Sequence, residues 1–138
     1  MLPTGEVLFT DGSTDVEIFT SSGSYNPHWA PKIQSSPSTV SPGGSYVISG
    51  HHFNGFSQGA AYGDNAQSAT NYPMVRITNL STGHVFYSRT HDHSSMAVAF
   101  GGIVSTHFDV PDNQERGASS LVVVANGIPS APIPINVE

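Results

Sequence analysis

Cysteine is absent from the 138 residues, which excludes disulfides, thiolate metal sites and cysteine nucleophiles. Charge is scarce as well. Asp, Glu, Lys and Arg together make up 10% of the chain, against about a quarter in an ordinary globular protein. Only four residues are basic, Lys32, Arg76, Arg89 and Arg116, and the formal net charge is −6. They are scattered, so there is no patch to neutralise a phosphate backbone, and neither nucleic acid nor an anionic membrane is an expected partner. The apolar run Leu121 to Ala125, which no other exceeds, is strand-sized and far short of a membrane span. No Gly-x-Ser-x-Gly elbow anchors a hydrolase triad, and no glycine-rich phosphate cradle is present. The opening Met-Leu-Pro-Thr-Gly-Glu has no charged n-region and no apolar core, so no signal peptide is expected there. The low charge and the Ser/Thr/Asn-rich loops fit a secreted or extracytoplasmic parent protein.

What is present reads as β structure. Glycine (14) and proline (10) are plentiful, and the apolar residues, 37% of the chain, come in short β-branched and aromatic runs. That pattern, with turn residues between the runs, is the signature of an all-β sandwich or barrel, and the length suits one domain. Glu6–Thr10 and Val16–Thr20 flank Asp11–Asp15 and predict a hairpin. Residues 1–30 are therefore expected to be an N-terminal hairpin and linker, and residues 31–138 the sandwich. Strands are predicted at Lys32-Ile33, Ser45–Ser49, Met74–Thr78, Val85–Arg89, Met96–Phe100, Thr106–Val110, Leu121–Ala125 and Ile133–Val137. The polar stretch His51–Tyr72 is long for a loop in a compact domain, and its aromatics predict an Ω-like loop packed on itself.

Seven histidines against four Lys plus Arg is the most unusual count in the chain. His91 and His93 flank Asp92. In extended structure residues i and i+2 point to one side, so two imidazoles could converge on one ion. His51-His52 lies at another strand exit and could add a third ligand. Three histidines and a water would make an open zinc site whose hydroxide attacks an activated ester or phosphotriester, with Asp92 or Asp64 as orienter or proton acceptor. A structural reading stands beside this one, because histidines are common polar loop residues. Asp109, Asp112 and Glu115 form an acidic stretch for which a solvated turn is expected rather than a calcium site.

From about Pro31 onward the chain resembles the C-terminal domain of galactose-oxidase-like kelch proteins. The likeness is carried by Pro73-Met74-Val75-Arg76, Arg89-Thr90-His91, Phe108-Asp109-Val110-Pro111 and the run LVVVANGIPS from Leu121 to Ser130. It implies an immunoglobulin-like (E-set) antiparallel sandwich that follows a seven-bladed propeller in the relatives. Leu2 to Ser13 resembles the last strands of that propeller, so Met1 falls where a relative would still be inside it. The chain is then a fragment or a minimal version, and an uncovered hairpin would favour a homodimer. In galactose-oxidase-like enzymes the histidine of the Thr-His segment is a copper ligand, a role the resemblance brings to His91 alone. The other copper ligands belong to the propeller, so radical alcohol oxidation is not expected here.

Three functions follow. The first is a metal-binding module with a histidine site around His91 and His93. The second is a small zinc-dependent hydrolase. The third is a carbohydrate-binding module using Trp29 and the loop tyrosines.

Overall fold

The computed structural model describes residues 2–57 and 72–138. Strands form where β-branched and aromatic residues alternate with polar ones: β1 Val7–Phe9, β2 Glu17–Phe19, β3 Lys32–Ser35, β4 Thr39–Val40, β5 Ser45–His51, β6 Met74–Asn79, β7 Val85–His91, β8 Val104–Asp109, β9 Gly117–Ala125, β10 Ile128–Pro129 and β11 Ile133–Val137. Among the described residues the one helical turn is the 3-10 segment Pro27–Trp29, opened by the Asn26 side chain accepting from the His28 N–H.

The strands run β3-β5-β8-β7-β6-β9-β11-β4 in hydrogen-bonding order, with β10 on β9. The turn from one layer to the other is made by β7. Its first half, Val85–Ser88, pairs with β6, and its second half, Arg89–His91, pairs with β8. One layer is therefore β3-β5-β8-β7 and the other β7-β6-β9-β11-β4, and together they make a β-sandwich. A strand that changes sheets is a standard way to turn such a corner.

The core lies between the layers. Ile48 of β5 and Phe108 of β8 meet Val75 and Ile77 of β6 and Leu121 and Val123 of β9, all fully buried. Side chains of this size each stabilise the fold by about 1.5–3 kcal/mol on burial. Their register follows from the two-residue period. In β8, Val104, Thr106 and Phe108 face inward, which turns Ser105, His107 and Asp109 outward. In β9 the alternate residues Val122 and Val124 are buried too, so that strand is covered on both faces, as its unbroken apolar run implies.

One expectation needs correction. Met96–Phe100 is not a strand. Ala99 adopts φ 55° and donates its N–H to the Gly55 carbonyl at 2.9 Å, while Asn54 Nδ2 donates to Met96 Sδ. These ties to the segment after β5 override the local β preference. The predicted Ω-like loop, with Tyr62 and Asp64, falls mostly outside the described residues; Phe53, near its start, is a buried member of the core.

The hairpin β1–β2 stands apart from the sandwich. Asp11 Oδ1 accepts from Ser13 N–H, and Gly12 takes φ 88° in the turn. Every residue of both strands is exposed. Its base touches the sandwich at the β9–β10 turn, where Gly5 lies against the Gly127 carbonyl.

Candidate functional site

His91 is the last residue of β7, placed on the outer face of its sheet beside β8. Cross-strand pairing sets Arg89 opposite Asp109 and His91 opposite His107, while Ser45 of β5 lies opposite Asp109 on the other side. The result is a polar row on an exposed sheet face. His91 Nε2 lies 3.0 Å from Asp109 Oδ1, and His91 Nδ1 lies 2.9 Å from Asp92 Oδ2. The His107 ring stacks on it at 5.4 Å. Below, the buried Thr106 hydroxyl donates to the His91 carbonyl.

An ionised carboxylate only accepts hydrogen bonds, so both His91 nitrogens must carry protons to satisfy both contacts. The bond to Asp109 and then that to Asp92 raise the His91 pKa above its usual 6.5, and the same bond lowers that of Asp109. Both contacts favour the imidazolium form of His91, held between two aspartates. Ser45 Oγ lies 3.4 Å from His91 Nε2, which completes a Ser–His–Asp order in space. In the imidazolium form that order lacks the free Nε2 lone pair that a base needs, and Asp109 at 3.0 Å lies closer to Nε2 than Ser45 does.

The other histidines are placed elsewhere. Asp92 adopts φ 50°, so the extended geometry that would align His91 with His93 ends at His91. His93 instead packs its ring on Tyr72 at 5.2 Å. Both its nitrogens are buried without a hydrogen-bond partner among the described residues, and burial lowers its pKa. His51 Nδ1 contacts the Gly101 carbonyl at 3.2 Å. His52 turns into the left-handed region at φ 61° and stacks on Phe56 at 4.5 Å. Burial, then the neighbouring His51 and Lys32, lowers its pKa.

Among the described residues no three His, Asp or Glu gather where they could hold a metal ion. The three-histidine zinc centre expected from His91, His93 and His51 or His52 therefore does not fit these residues. Asp92 serves His91, and Asp64 lies outside the described residues. The acidic stretch is dispersed as well: Asp109 binds His91, while Glu115 accepts from the Thr82 hydroxyl and pairs with His84 at 2.7 Å.

Beside His91, where β7 parts from β6, an open cleft of about 690 Å³ is lined by Tyr72, Met74, Tyr87, Arg89, Asp92 and His93 among others. Tyr72 and Tyr87 are 52% and 41% exposed, so both rings are available for stacking. Sequence reasoning named Tyr72 only as a loop aromatic and missed Tyr87, Arg89 and the Asp109 contact. Alternation in β8 put Asp109 on the same face as His107, but its pairing with His91 needed the β7–β8 register. Among the described residues no helix is long and apolar enough to cross a membrane. Neither models of known protein families nor curated proteins give a match to this chain.

Proposed function

We propose that residues 31–138 form an immunoglobulin-like (E-set) module of the galactose-oxidase-like kind, which acts by binding rather than by catalysis. The strand order supports the immunoglobulin-like reading. Taking β3, β5, β6, β7, β8, β9 and β11 as strands A to G gives A-B-E-D in one layer and C-F-G in the other, the arrangement of immunoglobulin constant domains. The closer hold of Asp109 than of Ser45 on His91 Nε2, 3.0 against 3.4 Å, favours binding over turnover.

The binding site is the cleft between β6 and β7, and its ligand is a carbohydrate. One observation carries this: two exposed tyrosine rings, Tyr72 and Tyr87, line one cleft together with Arg89, Asp92 and His93. Tyr72 and Tyr87 offer apolar faces to the sugar ring, and Arg89 and the outer oxygen of Asp92 can bond its hydroxyls. The test is a glycan array followed by calorimetry on the best ligand. Binding is expected to fall at least tenfold in Tyr72→Ala and in His93→Ala. Silence across the array, or affinity unchanged in both variants, would overturn the reading.

A second reading rests on the 3.0 Å approach of His91 Nε2 to Asp109 Oδ1. Two donors that close could be neighbouring ligands of an ion whose other ligands come from another domain. Copper(II) added to the chain should then show an imidazole nitrogen by electron spin resonance that disappears in His91→Ala and persists in His93→Ala. An unchanged nitrogen signal in His91→Ala would sink it.

A further inference from the structure

The hairpin β1–β2 carries apolar side chains on both faces, with Glu17 beside Phe9 on one and Glu6 next to Leu8 on the other. Val7 lies opposite Phe19, Leu8 opposite Ile18 and Phe9 opposite Glu17. Alternation therefore puts Val7, Phe9 and Phe19 on one face, and Leu8, Ile18 and the adjacent Val16 on the other. These six side chains are 38–64% exposed. A two-stranded hairpin alone is marginally stable in water, and strands with two apolar faces are normally covered on both. Among the described residues neither outer edge is paired to another strand.

The two edges differ in charge. The β2 edge carries Asp15 and Glu17, and charged side chains are a common means of blunting an edge against pairing. The β1 edge presents Val7-Leu8-Phe9 with no charge between Glu6 and Asp11. It also matches itself. If two copies run antiparallel with Leu8 at the two-fold axis, Val7 of each lies opposite Phe9 of the other and Glu6 opposite Thr10, so no acid meets an acid.

We propose that two copies of this chain associate through β1, antiparallel about Leu8, to form a four-stranded sheet. The sheet joins the apolar strips of the two hairpins on each face. The available area limits the strength. At roughly 150–200 Å² for a residue of this size, the six side chains expose about 600 Å² per chain. Two copies hold at most about 1,200 Å² between them, and edge-to-edge pairing covers only part of it, below the area of a standard specific interface. The dimer is therefore weak and concentration-dependent, and it is isologous, as a two-fold contact must be.

The absence of cysteine makes the test clean. Residues facing each other across an antiparallel pair are about 4.5–5.5 Å apart at Cα, within disulfide range. Leu8→Cys in the full chain should oxidise to a covalent dimer with oxidised glutathione. Ile18→Cys should not, because its two copies would be three strand spacings apart, about 14 Å. Sedimentation should show the unmodified chain passing from monomer to dimer with concentration, and Leu8→Lys monomeric throughout. Cross-linking of Ile18→Cys as readily as Leu8→Cys, failure of Leu8→Cys to cross-link, or an unmodified chain that stays monomeric at all concentrations would each overturn the proposal. Capture of a different protein by a chain that stays monomeric would overturn it as well.

Discussion

Replacing Asn79 by alanine should be among the most damaging changes to a polar residue in this protein. Asn79 ends β6 and is 3% exposed. Its Oδ1 accepts from the N–H groups of Ser81 and Thr82, at 2.8 and 3.1 Å, and so shapes the turn into β7. Its Nδ2 donates to the Arg116 carbonyl at 3.0 Å, tying that turn to the start of β9. Each bond is worth about 0.5–1.5 kcal/mol net. Ser81 and Thr82 are exposed, so water can replace two of the lost acceptor contacts, which places their cost at the low end. The vacated volume adds to the loss. The expected total is about 2–3 kcal/mol, read as a fall in the urea midpoint of about 1–1.5 M at an m-value near 2 kcal/mol/M. Asn79→Asp keeps both accepted bonds but loses the donation and sets a buried carboxylate against a carbonyl, so it should cost at least as much as alanine. An alanine cost under 1 kcal/mol, or a harmless aspartate, would refute this.

Three further outcomes are expected. Gly50→Ala would set its Cβ 2.0 Å from the Lys32 carbonyl oxygen and 2.8 Å from the Phe53 ring, forcing β3 off β5. A loss of about 1–3 kcal/mol is expected from such overpacking, measured by thermal or urea unfolding, and an unchanged midpoint would contradict it. Ser130→Ala removes an oxygen that accepts from the buried Val123 N–H at 3.0 Å, and should cost about 1–3 kcal/mol; restoration by Ser130→Thr would confirm the role of the hydroxyl. The His91 pKa is raised and that of Asp109 lowered by their contact. The stabilisation from His91 is therefore full below about 6.5 and fades as pH rises through its folded value, while that from Asp109 fades as pH falls through its lowered value. Asp109→Asn should lower the His91 titration midpoint in NMR and reduce Tm at pH 5–6 more than at pH 9; an unmoved His91 midpoint would contradict the clamp.

The class of the fold was legible in the chain because strand signals are local. Alternation in Tyr46–Ile48 and Met74–Thr78, the Asp11–Asp15 turn and the run Leu121–Ala125 each speak for themselves, and each became the element expected. Met96–Phe100 did not, because long-range bonds from Asn54 and Gly55 compete with an otherwise plausible strand pattern.

The candidate site was legible only as residue types. The sequence alone singled out the histidines and determined the alternation that puts His107 and Asp109 on one face. It could not determine which strand would lie beside which. Tertiary structure decided that the β7–β8 register brings Asp109 to His91, that the left-handed Asp92 separates His93 from it, and that β7 parts from β6 to open the cleft. The physical reason is range: alternation and turn chemistry act over a few neighbouring residues, whereas the His91–Asp109 contact spans 18 positions and the Ser45–His91 contact 46.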